Sequence, residues 1–334
     1  SKWNSGAGFV PIGNNTTAFT GQFDGLGHTI SNLYINRPSE DYVGLFGYTS
    51  NAVLCNVGIV NSEITGQQNV GALVGRNNYK SKIDNAYSAA KVSGVSDVGG
   101  LVGLNSGWVN NSYASAVVSG GNVLGGLVGQ NGGGHITNSS ATGRVTGESG
   151  VGDIVIALDI NNDGNNDITG TIKGGNIIGG LVGLNAGGTI DGTTASGHVS
   201  GGNILGGLVG LNTGGQITNS SATGSVTGES SVGDITLLMD ASIDGAVALS
   251  MDANFDGNAD LTGSMDGLSD IYAAGTIKGG NIIGGLVGLN AGGTIDGTTA
   301  SGSVSGGNIL GGLVGLEAGG QITNSSATGS VAGE

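Results

Sequence analysis

Cysteine, proline, aromatic residues and basic residues are all scarce in this chain of 334 residues. A single cysteine, Cys55, excludes an intramolecular disulfide. Only two residues are proline, and no Gly-X-Y period exists, so the 73 glycines do not indicate collagen. Nine basic residues against 24 acidic ones give a net charge of −15, which argues against nucleic acid as a partner. The apolar runs are short and broken by glycine, so we expect no membrane insertion.

What the chain does have is a repeat built on the string Gly-Gly-Leu-Val-Gly. It occurs six times, and looser forms occupy Gly71–Gly75 and Val43–Gly47. The final glycines lie at positions 47, 75, 103, 129, 183, 210, 288 and 315, so the steps between them are 28, 28, 26, 54, 27, 78 and 27 residues. A period near 27, broken only by steps close to two and three times that length, is typical of a solenoid.

Each repeat contains three short stretches that are apolar at alternate positions and bounded by Gly, Asn or Ser. They are Gly-Gly-Leu-Val-Gly, x-Ile-Thr-Asn-Ser-Ser-Ala and Gly-x-Val-x-Gly. We therefore predict an all-β fold, a right-handed parallel β-helix with three short strands in each coil of about 27 residues. Two apolar columns follow from the alignment of the coils: Leu73, Leu101, Leu127, Leu181, Leu208, Leu286 and Leu313, and Val92, Val118, Val145, Val199, Val226, Val304 and Val331.

A polar column is also visible in the aligned coils. It holds Asn56, Asn85, Asn111, Asn138, Asn219 and Asn324, with Gly192 and Gly297 in two coils. Stacked asparagines can bond to one another from coil to coil, so we expect an asparagine ladder. The alternative is that these are surface asparagines in a turn, where this residue is common.

The chain divides into an N-terminal capping segment, residues 1–42, and a run of coils, residues 43–334. Aromatic residues gather in the first segment, which is expected to plug the open end of the coil stack. Two inserts, at about 148–174 and 229–279, create the long steps, and their nearly integer lengths favour extra coils over protruding loops. The chain stops within a repeat unit, so we expect it to be a piece of a longer array.

Both inserts contain the pattern D-x-N-x-D-G-N-x-D. Side-chain oxygens at alternate positions, followed by a glycine, are how a loop wraps Ca²⁺. A helix-flanked calcium loop would add a Glu at the twelfth position, where this chain has Gly170 and Gly263, so water or another ligand must complete the shell. The alternative is an Asp-Gly turn in a solvated loop. The predicted calcium ligands are Asp159, Asn161, Asp163, Asn165, Asp167, Asp252, Asn254, Asp256, Asn258 and Asp260.

The sequence shows no clear cluster of catalytic residues, and we predict that the chain is not an enzyme. The arginines fall at unrelated positions of the coil, and His28, His135 and His198 occupy turn or variable surface positions. Cys55 aligns with polar residues and is expected to be an incidental exposed thiol. An alternative function is carbohydrate binding or polysaccharide cleavage, for which the aromatic residues available on successive coils are Tyr87, Trp108 and Tyr113.

The repeat resembles the GLUG motif of large secreted bacterial surface proteins, among them filamentous-haemagglutinin-like adhesins, biofilm-matrix adhesins and immunoglobulin A peptidase stalks. Phe9–Gly13 and Phe23–Ile30 look like the stretch that precedes such repeats. The resemblance implies export to the cell surface or extracellular matrix and a rod-like adhesive role. Calcium is then the expected cofactor, and an exopolysaccharide or a host or neighbouring cell surface the expected partner. The resemblance supplies no catalytic residues, and the calcium-like inserts depart from its simple pattern.

Overall fold

The structure, a computed structural model, describes the backbone of residues 3–148, 153–158, 168–172, 175–229, 235–241, 250–251, 261–266, 270–277 and 280–333. Apart from the strands of the two inserts, these residues form a parallel β-solenoid of eight coils, with one 3-10 turn at Trp3–Gly6. The all-β solenoid with three strands in each coil is thereby confirmed, while its right-handed sense stays a prediction. No helix in the described part of the chain is long and apolar enough to cross a membrane.

Three parallel sheets form the three faces of the solenoid. Face 1 has one strand from each coil, numbered here as coils 1 to 8: Phe46–Thr49, Val74–Asn77, Val102–Asn105, Val128–Gly132, Val182–Ala186, Val209–Thr213, Val287–Ala291 and Val314–Ala318. Face 3 leads into face 1 through Gln68–Gly71, Ser96–Gly99, Val123–Gly125, Ile177–Gly179, Ile204–Gly206, Ile282–Gly284 and Ile309–Gly311.

Face 2 is the widest face and changes character along the solenoid. It starts with the continuous strands Gln22–Ser31, Tyr34–Asn36, Val53–Thr65 and Lys82–Gly94. From coil 3 onward the face 2 strand is divided into three segments: Trp108–Asn110, Tyr113–Ala114 and Val117–Gly120; His135–Thr137, Ser140–Ala141 and Val145–Gly147; Thr189–Asp191, Thr194–Ala195 and Val199–Gly201; Gln216–Thr218, Ser221–Ala222 and Val226–Gly228; Thr294–Asp296, Thr299–Ala300 and Val304–Gly306; Gln321–Thr323, Ser326–Ala327 and Val331–Gly333.

The Gly-Gly-Leu-Val-Gly string does not form one strand, as we had expected, but turns the corner from face 3 to face 1. In coil 4, Gly125 ends the face 3 strand and Val128 begins the face 1 strand. A Cβ added at Gly125 would overlap the Val128 carbonyl oxygen, and one at Gly126 would overlap the Gly180 carbonyl oxygen of the next coil. The glycines are therefore needed because backbone meets backbone at this corner.

The interior is filled by the predicted aliphatic columns. The leucines of the string, such as Leu127 and Leu208, and the face 2 valines, such as Val145 and Val226, are completely buried. The strand register stacks the valines of successive coils, because Val145 pairs with Val199 and Val199 with Val226 in parallel ladders. Val331 of coil 8 is 45% exposed.

A buried asparagine ladder, which sequence reasoning missed, runs beside this core on face 1. It comprises Asn77, Asn105, Asn131, Asn185, Asn212 and Asn290, all with no exposed surface. Each side-chain Nδ2 donates to the Oδ1 of the next asparagine at 2.7–2.9 Å, as Asn185 does to Asn212 at 2.8 Å. Thr49 starts the ladder as a donor to Asn77, and the Glu317 carboxylate accepts from Asn290. The sequence signal was present, since each of these asparagines stands two residues after a repeat string.

The asparagine column that we did predict lies on the surface and, unlike the buried ladder, serves mainly to allow a positive φ. All six of its asparagines adopt positive φ between 47° and 54°, and Gly192 and Gly297 have φ of 60° and 62°. Asn and Gly alternate here because both tolerate the left-handed region. Only Asn85 donates to the asparagine before it, Asn56, at 2.8 Å. Asn111, Asn219 and Asn324 donate to aspartates of preceding coils instead.

The described strands of the two inserts are not extra coils. Ile154–Leu158, Ile168–Ile172, Ile235–Ala241, Ser250–Met251, Leu261–Asp266 and Asp270–Ile277 form one antiparallel sheet, called here the insert sheet. The coils on either side of an insert pair directly with each other, as Val123 does with Ile177. An insert at a corner adds no layer to the stack, so its length is free of the coil period. The match to two and three periods is therefore coincidental.

The N-terminal segment adds a further layer to face 2. Gln22–Ser31 pairs in parallel with residues 53–60, and Tyr34–Asn36 pairs with residues 63–65. Phe19 and Phe23 place their rings 4.8 and 5.4 Å from the ring of Phe46 in coil 1. The aromatic residues thus pack against the end of the aliphatic core.

Candidate functional site

The ten predicted calcium ligands, in residues 159–167 and 252–260, lie outside the described residues. The strands around them are described, and they place both motifs in the same setting. Leu158 pairs with Ile168, and Met251 pairs with Leu261, each in an antiparallel ladder. In both inserts the residue before the first Asp therefore pairs with the residue after the last Asp.

The base of each insert is held by one asparagine. Asn176 donates through Nδ2 to the carbonyl oxygens of Glu148, at 3.0 Å, and Gly121, at 2.6 Å. Its Oδ1 accepts from the Gly202 backbone N–H at 3.0 Å. Asn281 repeats this arrangement with Glu229, Gly202 and Gly307. Because Glu148 and Glu229 are where the chain leaves the solenoid, these bonds bring the outgoing and returning chain together at one corner.

Both inserts leave the solenoid at the corner between face 2 and face 3. Where no insert is present, this corner is made by Gly201, Gly202 and Asn203. The two insert corners are two coils apart, roughly 10 Å at the usual strand spacing. Strand Ile168–Ile172 of the first insert pairs with strand Ile235–Ala241 of the second, so the two inserts share one sheet.

A second apolar cluster, separate from the interior, lies on the outside of the solenoid. It is called here the outer corner cluster and consists of Val123, Ile177, Ile204, Leu211, Ile282, Leu289, Ala291 and Leu316. Its isoleucines come from face 3 and its leucines from face 1, next to residues such as Leu205 and Val209 that point into the core. Ile204 has no exposed surface and Leu211 has 2%. Their outward position was not recognised from sequence, where they read as ordinary core residues.

The same corner also holds polar and aromatic residues in the earlier coils, beside Leu104 and Val123. Arg76 and Tyr48 occupy the leucine column, with the guanidinium carbon 5.5 Å from the tyrosine ring centre. Asn69 and Asp97 stand on face 3 one residue before Val70 and Val98, which pair with each other. Burial raises the pKa of Asp97 to about 6, against the lowering effects of a hydrogen bond with Ser96 and the charge of Arg76.

Aromatic rings stack on the outside of face 2 in coils 2 to 4. The rings of Tyr87 and Tyr113 are parallel within 3°, with centres 4.9 Å apart, and Tyr113 is 47% exposed. Tyr87 lies over Gly58, since a Cβ on that glycine would overlap the tyrosine ring. Trp108 stacks with His135 at 5.9 Å. Of the predicted carbohydrate strip, the structure therefore brings Tyr87 and Tyr113 together, whereas Trp108 stacks with His135 instead.

The remaining candidate residues stand apart from one another. His198 contacts Ser225 through Nδ1 at 2.7 Å, and Cys55 is half-buried between Asp24 and Asp84 in the parallel ladders. Burial, and then the charges of these two aspartates, raise the pKa of the Cys55 thiol, which makes it a weak nucleophile. Among the described residues, no three His, Cys, Asp or Glu side chains are grouped as a metal site. That the chain is not an enzyme stays a prediction.

Two coils carry the GLUG motif. The matches cover residues 120–146 and 201–227, and each extends from the corner before face 3 to the last strand of face 2. The resemblance noted in the sequence is confirmed for these two coils, while the adhesin type stays a prediction.

Two relatives match parts of the chain. Halomucin of Haloquadratum walsbyi is 48% identical over 107 residues, which is 31% of this chain and 1% of halomucin. A protein of Evansella cellulosilytica, named as a Gly-rich membrane protein, is 38% identical over 76 residues, 22% of this chain and 9% of that protein. The matched stretches are thus a small part of both relatives. Among solved structures, an IgA1 protease aligns with 95% of this chain and 19% of its own, with a TM-score of 0.43 and 14% identity.

Proposed function

We propose that this chain is a rod-like segment of a secreted adhesin at the cell surface or in the extracellular matrix. The observation that carries the proposal is the unbroken stack of eight coils, paired in parallel on all three faces. At the usual strand spacing the stack is roughly 35 Å long. Because each coil contacts only its neighbours, coils can be added to lengthen the rod without changing the contacts elsewhere in it.

Adhesion is tested by attaching the chain to fluorescent beads and measuring their retention on exopolysaccharide and on cell surfaces. We expect retention above that of beads carrying an unrelated acidic protein of equal charge density. The acidic control is needed because a net charge of −15 affects adsorption by itself. Equal retention of both kinds of bead would argue against an adhesive role and leave a spacer role.

We further propose that Ca²⁺ binds the two D-x-N-x-D-G-N-x-D motifs, with ligands drawn from residues 159–167 and 252–260. Carboxylate and amide oxygens at alternate positions are the donors that Ca²⁺ prefers. The support from geometry is that both motifs join antiparallel strands in the same register. Bound Ca²⁺ would offset the repulsion between the carboxylates and stabilise the inserts whenever its free concentration exceeds the dissociation constant.

Calorimetric titration with Ca²⁺ should give two sites per chain, and the melting temperature should fall in EDTA and recover on addition of Ca²⁺. The triple variant Asp159→Asn, Asp163→Asn and Asp167→Asn should lose one of the two sites. A matched control is Asp41→Asn, an exposed aspartate outside both motifs, which should keep both sites. No heat of binding together with an unchanged melting curve in EDTA would remove the calcium proposal.

Carbohydrate binding is a second candidate, favoured by the stacked pair Tyr87 and Tyr113. The exposed ring of Tyr113, oriented by stacking on the half-buried Tyr87, suits the apolar face of a sugar ring, and the exposed Asn85 and Ser115 offer polar groups on the same face. Glycan-array binding that is lost in Tyr113→Ala would support this function. Tyr79→Ala is the matched control, since Tyr79 is 64% exposed and lies outside the stacked pair. Equal binding by the two variants would refute the role of the pair.

A further inference from the structure

The outer corner cluster is buried although its side chains point away from the interior. On face 2, outward side chains remain accessible, as Tyr113 and Val117 do at 47% and 49%. At the outer corner, Ile204, Ile282 and Leu289 are 0–3% exposed. The concave corner accounts for part of this burial, because the glycine turn brings the outward columns of faces 1 and 3 together.

The composition of this corner changes after the first insert. Coils 2 to 4 mix the polar residues Asn69, Arg76, Asp97 and Gln130 with Leu104 and Val123. Coils 5 to 8, which follow the first insert, place isoleucine on face 3 and leucine on face 1 without exception. A row of aliphatic side chains on the outside of a solenoid needs a covering layer, since water-exposed apolar patches of this kind are uncommon.

We infer that the outer corner cluster is the docking surface for the insert sheet, which is thereby fixed against the rod instead of hanging from it. The occupant is identified by Ile154, the first residue of the insert sheet, which packs against the cluster. The strand that follows, Ile154–Leu158, contains no polar residue, as is typical of a strand covered on both sides. Both inserts also leave the rod at the edge of face 3, beside the isoleucine column. This inference does not depend on calcium.

The inference can be tested by deleting both inserts, because the remaining sequence joins into a natural corner. Deleting residues 148–174 and 229–279 joins Gly147 to Gly175 and Gly228 to Gly280. Each junction then reads Val-Thr-Gly-Gly-Asn-Ile, which differs from the natural corner Val199–Ile204 only in Thr for Ser. We expect the excised rod to keep its far-ultraviolet circular dichroism, to bind the dye ANS severalfold more strongly than the full chain, and to self-associate in light scattering. A folded, monomeric excised rod with the dye binding of the full chain would overturn the inference.

A second test leaves the inserts in place and changes the surface. The double variant Ile204→Asn and Leu211→Gln gives coil 6 the polarity of coil 2 without touching the interior. Lys173 and Lys278, at the returning ends of the inserts, are the only Lys or Arg residues after Arg144. Tryptic cleavage there should become severalfold faster in the double variant.

Val117→Asn is the matched control, because Val117 is an exposed outward valine on face 2. It should leave the tryptic rate unchanged. If the double variant is cut at the wild-type rate and Ile154 is equally protected from hydrogen exchange, the outer corner cluster does not fix the insert sheet. That result would overturn the inference even if the excised rod failed to fold.

Discussion

The buried asparagine ladder makes a prediction that can be worked from its hydrogen bonds. Asn185 accepts from Asn131 Nδ2 at 2.8 Å, and donates to Asn212 Oδ1 at 2.8 Å and to the Gly188 carbonyl at 3.1 Å. In Asn185→Ala, one N–H of Asn131 loses its acceptor and Asn212 Oδ1 loses its donor inside the solenoid. Asn131 keeps its bond to the Gly134 carbonyl, and the Gly188 carbonyl still accepts from the Gln216 backbone N–H at 2.9 Å. At about 1–3 kcal/mol for each unsatisfied buried group, we expect a loss of roughly 3–5 kcal/mol.

Two further substitutions separate the hydrogen bonds from the packing. Asn185→Leu fills the volume but makes no hydrogen bond, so it should cost nearly as much as alanine. Asn185→Asp keeps the shape but directs a carboxylate towards two acceptors, so it should be the most harmful variant at pH 8 and partly recover at pH 4, where protonation restores one donor. Asn219→Gly is the control, because Asn219 is exposed and glycine already occupies its column at position 192.

The assay is guanidinium unfolding followed by circular dichroism, together with hydrogen exchange resolved by coil. Exchange is needed because repeat arrays can unfold in parts, and a single midpoint would then mix several transitions. Loss of protection in coils 4 to 6, with coils 1 and 2 unchanged, is the expected pattern. If Asn185→Leu is within about 0.5 kcal/mol of wild type, the unsatisfied partners cost little and the reasoning from hydrogen bonds is wrong.

Three other outcomes follow from the described geometry. Asp97→Asn should stabilise the chain at pH 8 by up to roughly 3 kcal/mol and have no effect near pH 3.5. The reason is that the pKa of Asp97 is raised to about 6, so ionisation of its carboxyl lowers the folding stability as pH rises from about 4 to 6. Unfolding curves with the same pH dependence for both proteins would contradict this. Gly126→Ala should cost about 3 kcal/mol or more, since its Cβ would overlap the Gly180 carbonyl oxygen, and a wild-type melting temperature would refute the tight corner. Asn219→Ala should cost about 1 kcal/mol more than Asn219→Gly, measured by the same unfolding curves, because alanine is strained at positive φ; equal stability of the two variants would be the contrary result.

The coil could be predicted because its constraints are local and repeated. Gly125 and Gly126 indicate a corner where backbones approach closely, and the column from Val145 to Val226 indicates a buried interior. The spacing of these residues was therefore enough to predict a stack of coils. The buried asparagines were missed for a physical reason. Asparagine is expected in turns, and an interior is expected to be apolar. A ladder in which the amides bond to one another can nevertheless be buried, because no polar group is left without a hydrogen-bond partner.

The inserts and the outer corner could not be predicted in the same way. A 27-residue insert at 148–174 has the length of a coil, so counting could not distinguish the two, and only the antiparallel pairing of Ile154 with Ile172 does. Ile204 and Leu211 are as apolar as true interior residues, and which side of a sheet they face depends on where the glycine corner falls. The calcium motifs remain a prediction from pattern, supported by the matching register of their flanking strands.

The asparagine ladder also gives the rod a direction. From Thr49 through Asn290 every side chain donates towards the next coil, each asparagine accepts from the coil before, and Glu317 only accepts. The amide dipoles therefore add along the axis, as peptide dipoles do in a helix. A coil duplicated or exchanged anywhere along the ladder fits without correction, because it brings one donor and one acceptor in the same order. Glu317 accepts but has no N–H to donate, so the ladder ends in coil 8, and an array of such coils has two distinguishable ends.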